Sequence, residues 1–336
     1  IAQSIVASGV WGGGKIKGMK KVSLEIRKKY KTEYQDKSGF ATNARLLQSM
    51  WRENNHIPLL RTWGNYLSKE QAYNKQLNFI SDKVRLKVKE EVDANKLAKG
   101  KNVKVYKIDR LYENLLASQP LAFNLFAELI TLDFDIASKV FNKIFGDRIK
   151  KIISIDFEIS PGRGDKKYTG DRSAFDVFIK YEGIKGIGFI GIEVKYAETL
   201  LDKPANYKER YKEVAILSDK FTEEGIIELC KMPMSIEQIW RDHLLSLSML
   251  APVNNDFDDG FFVYLFPKEN TECVNALNKY FKLLKFNDEE EAGLRIVYMQ
   301  HLVDEIKSAT NETKEQWILD FEDRYLRFDK LDEFKK

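Results

Sequence analysis

Gly188-Phe-Ile-Gly-Ile-Glu-Val-Lys-Tyr196 decides how this chain is read. It is an apolar strand that a carboxylate and an amine enter two residues apart, as Glu193 and Lys195. Successive strand side chains point to opposite faces, so these two share a face with Val194 between them. Desolvating a charge costs several kcal/mol unless a partner or a metal compensates, so two charges in a buried strand mark a site. The segment before it, Ala174-Phe-Asp-Val-Phe-Ile-Lys-Tyr181, reads as a second strand whose one acid is Asp176. Neighbouring strands thus present Asp, Glu and Lys together, the equipment of a Mg²⁺-dependent phosphodiesterase. Mg²⁺ takes oxygen ligands, typically one or two carboxylates with water and substrate oxygens. Asp176 and Glu193 are the expected metal carboxylates, with the backbone carbonyl of Val194 as a third oxygen. The ion would lower the pKa of its water and neutralise charge on the phosphate. Lys195 is expected to hold or deprotonate the attacking water, or to steady the pentavalent phosphorus.

With 336 residues, 43% of them hydrophobic and 32% charged, the chain has ample core for one large domain or two smaller ones. No apolar run approaches the ~18–20 residues that cross a bilayer, so no membrane partner is expected. Residues 1–18 lack a secretory layout and read as a tag or upstream sequence, with Met19 as a native start. Cys230 and Cys273 lack metal-ligand spacing and read as reduced packing residues of a cytoplasmic protein. The three histidines are scattered, so any metal must be held by oxygens. Net charge is only +4, but residues 15–31 and 83–107 concentrate lysine and arginine, which suits a phosphate backbone.

Residues 19–110 read as a helical region that grips DNA or a partner, 111–270 as the catalytic core, and 271–336 as a C-terminal helical region. Val84, Leu86 and Val88 alternate, so a strand competes with a helix there. A helix is expected from Leu121 to Phe145, then strands over Ile152–Glu158, Ala174–Tyr181 and Gly188–Tyr196. Asp156 and Glu158 share a face of the first strand, which either joins the acidic site or faces water, and water is the favoured reading. A further helix spans Ser235–Leu250 with Ile236, Ile239, Trp240, Leu244 and Leu247 on its core face. Gln238 and Arg241 on its neighbouring face reach for a scissile phosphate; alternatively Ser235 and Gln238 form a capping box and Arg241 pairs with Glu237. His243 reads as a core histidine. Phe261–Phe266 is a buried strand completing the sheet. The order helix, three strands, helix, strand defines an α/β fold around a mixed sheet. No phosphate-loop spacing is present in GVWGGGK or PGRGDK.

Asp176, Glu193 and Lys195 in the order D-(x)16-E-x-K resemble the PD-(D/E)XK nuclease superfamily. Further stretches are similar to a prokaryotic restriction-endonuclease branch of it. These are Ala44-Arg-Leu-Leu-Gln-Ser-Met-Trp-Arg52, Leu77-Asn-Phe-Ile80, Ser118-Gln-Pro-Leu-Ala-Phe-Asn-Leu-Phe126, the Arg163 to Asp176 loop, and Gln238-Ile-Trp-Arg241. Phe175 stands where the family name has proline, a departure shared by many members; Asp165 and Asp171 are the fallback ligands. The resemblance implies a restriction-endonuclease-like α-β-β-β-α-β core with N- and C-terminal helical additions. It also implies Glu128 as a metal-facing acid on the preceding helix, and Arg163 as a phosphate contact. The implied activity is a Mg²⁺-dependent DNA endonuclease in restriction or anti-phage defence, with Mn²⁺ able to substitute and a defence-system subunit as a partner. Double-strand cleavage favours a homodimer. The alternatives are a repair-type nicking nuclease or exonuclease, and a non-catalytic DNA-binding module.

Overall fold

The computed structural model describes residues 22–131, 134–198, 200–201, 203–254, 256–311 and 315–334; the stretch 1–18 lies outside them. One sheet holds β1 (Ile149–Ile159), β2 (Phe175–Gly183), β3 (Gly186–Val194), β4 (Asp259–Phe266) and β5 (Leu294–Tyr298) in that spatial order. The first three pair antiparallel, and β4 and β5 add parallel to β3. The expected mixed sheet is therefore present, with one strand more. β5 comes from the region read as C-terminal helices, so the sheet does not stop at residue 270.

β2 and β3 are joined by a tight turn that ends at Gly186. Its φ of +116° is open to glycine alone, and a Cβ there would collide with the Asp258 carboxylate. Between β3 and the parallel β4 the chain must cross over, which it does through helices Glu209–Ser218 and Glu237–Met249. β4 is apolar throughout because both faces of the sheet are covered. Phe261, Val263 and Leu265 enter one core; Phe262, Tyr264 and Phe266 enter the other.

Helices from both ends of the chain share the first core. It contains Leu46 of Gly39–Asn54, Leu125 of Ser118–Thr131, Val140 of Phe134–Phe145, Val303 of Met299–Ala309 and Phe321 of Gln316–Tyr325. The segment 83–92 is helical, within Asp82–Leu97. Ser81 caps it by accepting from the Val84 amide at 3.2 Å, and Val84, Val88 and Val92 are buried at four-residue spacing. Leu86 is left exposed, which settles the helix-or-strand question.

Arg324 ties the two ends together. Fully buried, it donates to Gln48 Oε1 at 3.0 Å, to the Asn78 carbonyl at 2.8 Å and to Asn78 Oδ1 at 2.6 Å. Its guanidinium lies 4.2 Å over the Trp51 ring. Gln48 in turn donates to the Arg324 carbonyl at 2.8 Å and to the Tyr196 hydroxyl at 3.2 Å.

The second core packs helix Glu237–Met249 against the other face, with Ile236, Ile239, Trp240, Leu244 and Leu247 inward as expected. His243 is fully buried there, Nδ1 2.9 Å from the Tyr280 hydroxyl and Nε2 2.9 Å from the Ala292 carbonyl. A carbonyl only accepts, so Nε2 carries the proton and Nδ1 accepts from the tyrosine. Burial pushes the His243 pKa down to about 3. The unfolded chain, with an ordinary histidine, binds a proton that the folded one refuses between about pH 6.5 and 3, so stability falls as pH drops through that window. At pH 5 the cost is about 2 kcal/mol. Urea midpoints of His243→Gln should lose less than wild type between pH 7 and 5; equal losses would show that the imidazole is not the group responsible.

Candidate active site

The strand register builds the site. Phe157 faces Val177 and Ile159 faces Phe175, which sets Glu158 against Asp176. Val177 faces Ile192, so one step on Asp176 stands against Glu193, and Glu193 itself pairs with Tyr264. Glu158, Asp176 and Glu193 thus form a row across three strands on the face covered by helix Glu237–Met249. All three line one cleft of about 420 Å³. Asp242 lines it too, four residues and one helical turn after Gln238.

Opposite Asp176, Glu158 has a φ of +51°, a left-handed conformation that costs a non-glycine residue of order 1–3 kcal/mol. The strain accompanies a carboxylate at a cleft wall, and Gln119 Nε2 donates to it at 2.5 Å. Burial, with Glu193 nearby, raises the Glu158 pKa to about 7, against the hydrogen bond from Gln119 and the charge of Arg163. Asp176 is pushed well above the usual carboxylate range by burial and by both neighbouring glutamates, although it accepts from the Val194 amide at 2.8 Å. Asp242 is raised in the same direction by burial and Glu193. Burial and neighbouring carboxylates therefore disfavour the charged forms of Glu158, Asp176 and Asp242 together.

Lys195 sits among these acids, 2.8 Å from Glu193 Oε1 and 2.7 Å from Gln238 Oε1. Burial pulls its pKa down, but Glu193, Glu198 and Asp176 together outweigh that and hold it above the ordinary lysine value. It is an ammonium here. Gln238 completes the triangle by donating Nε2 to Glu193 Oε1 at 2.6 Å. No side chain caps the helix that starts at Glu237, so Gln238 is committed to the site and the capping box does not form. Arg241 both lines the cleft and pairs with Glu237, and it donates to Ser173 Oγ at 3.0 Å. Removing Gln238 with Ala should leave the fold intact and lower turnover about tenfold, one hydrogen bond's worth of Lys195 and Glu193 placement. Unchanged cleavage of a nucleic-acid substrate by Gln238→Ala would show that the triangle is structural only.

Several expectations resolve differently. Glu128 does not reach the cleft: it is buried against the Ser81 hydroxyl and lies 3.5 Å from Lys83. The reason is helical phase. Gln119, at the first turn of Ser118–Thr131, faces the acids, and nine residues at about 100° each turn Glu128 to the opposite side, about 13.5 Å along the axis. Arg163 is buried with its guanidinium on the Val103 carbonyl, and it is not among the cleft-lining residues. Asp165 is paired with Lys101 at 3.3 Å. Asp171 accepts from Thr169, Ser173 and Tyr211, so neither fallback acid lines the cleft. Glu158, read as facing water, is part of the site.

The rim was not foreseen. Lys107, Arg110 and Arg172 line the mouth of the cleft around its acidic floor. Arg110 is 3.0 Å from Glu198, whose carboxylate also accepts the Ser118 amide at 2.7 Å at the start of a helix, a favourable end for a negative charge. In the basic stretch 83–107, most cations are spent on local pairs such as Lys87 and Lys104 with Glu91, or Lys89 and Lys96 with Asp93. Only its last member, Lys107, reaches the cleft.

The donor set suits a hard divalent cation. Cleft-lining ligands are carboxylates, with no imidazole or thiol. Among the described residues no three ligand side chains close on one point, since Glu193 is turned to Lys195 and Gln238. A cation would rest on Asp176 and Glu193, with strand backbone and water completing its oxygen shell, and would relieve the crowding that raises the Asp176 pKa.

Among the described residues no helix is long and apolar enough to cross a membrane. No curated protein and no solved structure matches the chain significantly. The sequence profile of the PD-(D/E)XK nuclease superfamily matches residues 34–327.

Proposed function

Because the chain belongs to the PD-(D/E)XK nuclease superfamily, we propose that its cleft hydrolyses phosphodiester bonds of DNA with Mg²⁺ as cofactor and Mn²⁺ as a substitute. The observation that carries this reading is the row Glu158, Asp176 and Glu193 beside the ammonium of Lys195, under a rim of Lys107, Arg110 and Arg172. Acids at the floor and cations at the mouth suit a phosphate that is gripped outside and attacked within. Asp176 and Glu193 would hold the cation, which when bound supplies positive charge to the reacting phosphate. Lys195, charged and fixed by Gln238, donates a hydrogen bond to a phosphate oxygen or to the attacking water. Rim cations hold the flanking phosphates in line.

Cutting both strands favours a pair of chains, since the described residues form one such cleft. The setting we propose is restriction or anti-phage defence, which rests on the family resemblance alone. A non-catalytic DNA-binding module is disfavoured by the retention of Asp176, Glu193 and Lys195 together. The test is supercoiled plasmid with Mg²⁺, with Mn²⁺ and with EDTA. Conversion to nicked or linear circles in both metals and none in EDTA is expected; degradation only from free ends would favour the exonuclease alternative, and cleavage untouched by EDTA would refute the metal role.

A further inference from the structure

A separate cavity of about 390 Å³ lies in the N-terminal region, lined by Tyr34, Arg45, Arg61, Thr62, Trp63 and Tyr66. Its rings are not packed away: Tyr34 is 46% exposed, and Trp63 and Tyr66 are half-buried. Tyr34 and Trp63 stand at 89° with centroids 5.7 Å apart, so a planar group lying flat on one ring presents its edge to the other. The corner is braced. Arg45 lies 4.3 Å over the Tyr34 ring and is itself held by Asp36 at 2.7 Å and Asn65 at 2.6 Å. Arg61, paired with Glu113 at 3.0 Å, brings a second guanidinium to the same wall.

Tyr34 also lines a smaller neighbouring cavity whose far wall is Glu198, and Glu198 lines the catalytic cleft. Shared walls thus lead from the carboxylate row to the rings. Three acids line the connecting cavity: Asp36 is compensated by Arg45 and Glu198 by Arg110, while Glu272 shares the wall with the cation Lys37. We propose that the aromatic corner takes an unpaired nucleobase of the strand held in the cleft, which makes the substrate a nucleic acid with single-stranded or extruded nucleotides. This rests on the nuclease reading above. Every base has a π-face to stack on a ring, whereas a base inside a duplex has both faces covered and cannot enter a pocket.

The experiment uses the whole chain carrying Lys195→Ala, with fluorescence anisotropy of a labelled single strand and of a blunt duplex of the same sequence. A 2-aminopurine in the strand reports stacking by quenching. Adding Trp63→Ala should weaken single-strand binding about tenfold or more, leave the duplex within about twofold, and abolish the quench. Trp63→Phe should restore binding, and Tyr66→Ala gives an independent reading should the tryptophan variant fold poorly. Equal losses on both substrates, or no loss on either, would overturn the proposal and leave the rings as a protein contact. In the chain that keeps Lys195, plasmid cleavage unchanged by Trp63→Ala would sink the pocket and spare the nuclease. A Trp63-dependent quench in the Lys195→Ala chain, with no plasmid cleavage by the chain that keeps Lys195, would spare the pocket and sink the nuclease.

Discussion

Lys195→Ala is expected to slow plasmid cleavage by roughly a thousandfold, the scale of losing one preorganised charged donor at a reacting oxyanion. Lys195 is nine-tenths buried, and carboxylates hold it charged, so its role at neutral pH is to donate rather than to accept a proton. Its loss also leaves Glu193 buried with Gln238 as its remaining hydrogen-bond donor among those seen here, and breaking a buried pair costs about 3–5 kcal/mol. Lys195→Gln, which keeps a donor for Glu193, separates lost charge from lost fold. Both variants should be inactive while rim-dominated DNA binding persists within a few-fold. A Lys195→Gln enzyme cutting at the wild-type rate would remove the lysine from the mechanism.

Asp176→Asn should be the more revealing substitution, because activity and stability should move in opposite directions. Burial and two neighbouring glutamates raise the Asp176 pKa, so the folded state holds its proton where the unfolded chain has released it. That penalty is absent below the unfolded value near 3.9 and grows as pH rises toward the folded pKa. Asparagine removes it and can still accept the Val194 amide through its carbonyl oxygen. Metal-free Asp176→Asn should therefore unfold at higher urea than wild type at pH 7, and cleavage should drop roughly a thousandfold. Added Mg²⁺ should stabilise wild type by about RT ln(1 + [Mg²⁺]/Kd) and the variant far less. Equal stabilisation of the two proteins by Mg²⁺ would place the cation elsewhere.

Much of this was legible in the chain. Strand alternation in Gly188–Tyr196 puts Glu193 and Lys195 on one face, and the register sets Asp176 of the preceding strand against Glu193, one step on from the pair Val177 and Ile192. Glu158 was misread because alternation says which residues share a face but not which face is the cleft. Only the pairing with β2 decides that. Glu128 was misplaced for a similar reason. The residue types of a helix do not say which turn meets the strands, and here the contact is at the first turn, where Ser118 and Gln119 sit. β5 was missed because Leu294–Tyr298 follows the acidic helical run Glu289–Ala292, and its partner, β4, lies more than twenty residues earlier. Lys107 and Arg110 reach the mouth from the start of the helix Ile108–Glu113, and Arg172 from the loop before β2, a convergence that no local spacing announces.

The arginine at position 324 has one more implication. Through Gln48 it is two hydrogen bonds from Tyr196, the residue that follows Lys195 in sequence. Trimming the last helix to obtain a minimal enzyme would strip that support, so the smallest active fragment must keep both extremities of the described chain. A clasp of this kind makes the periphery and the reaction centre a single cooperative unit, and proteolytic nicking of either end should silence catalysis before it melts the sheet.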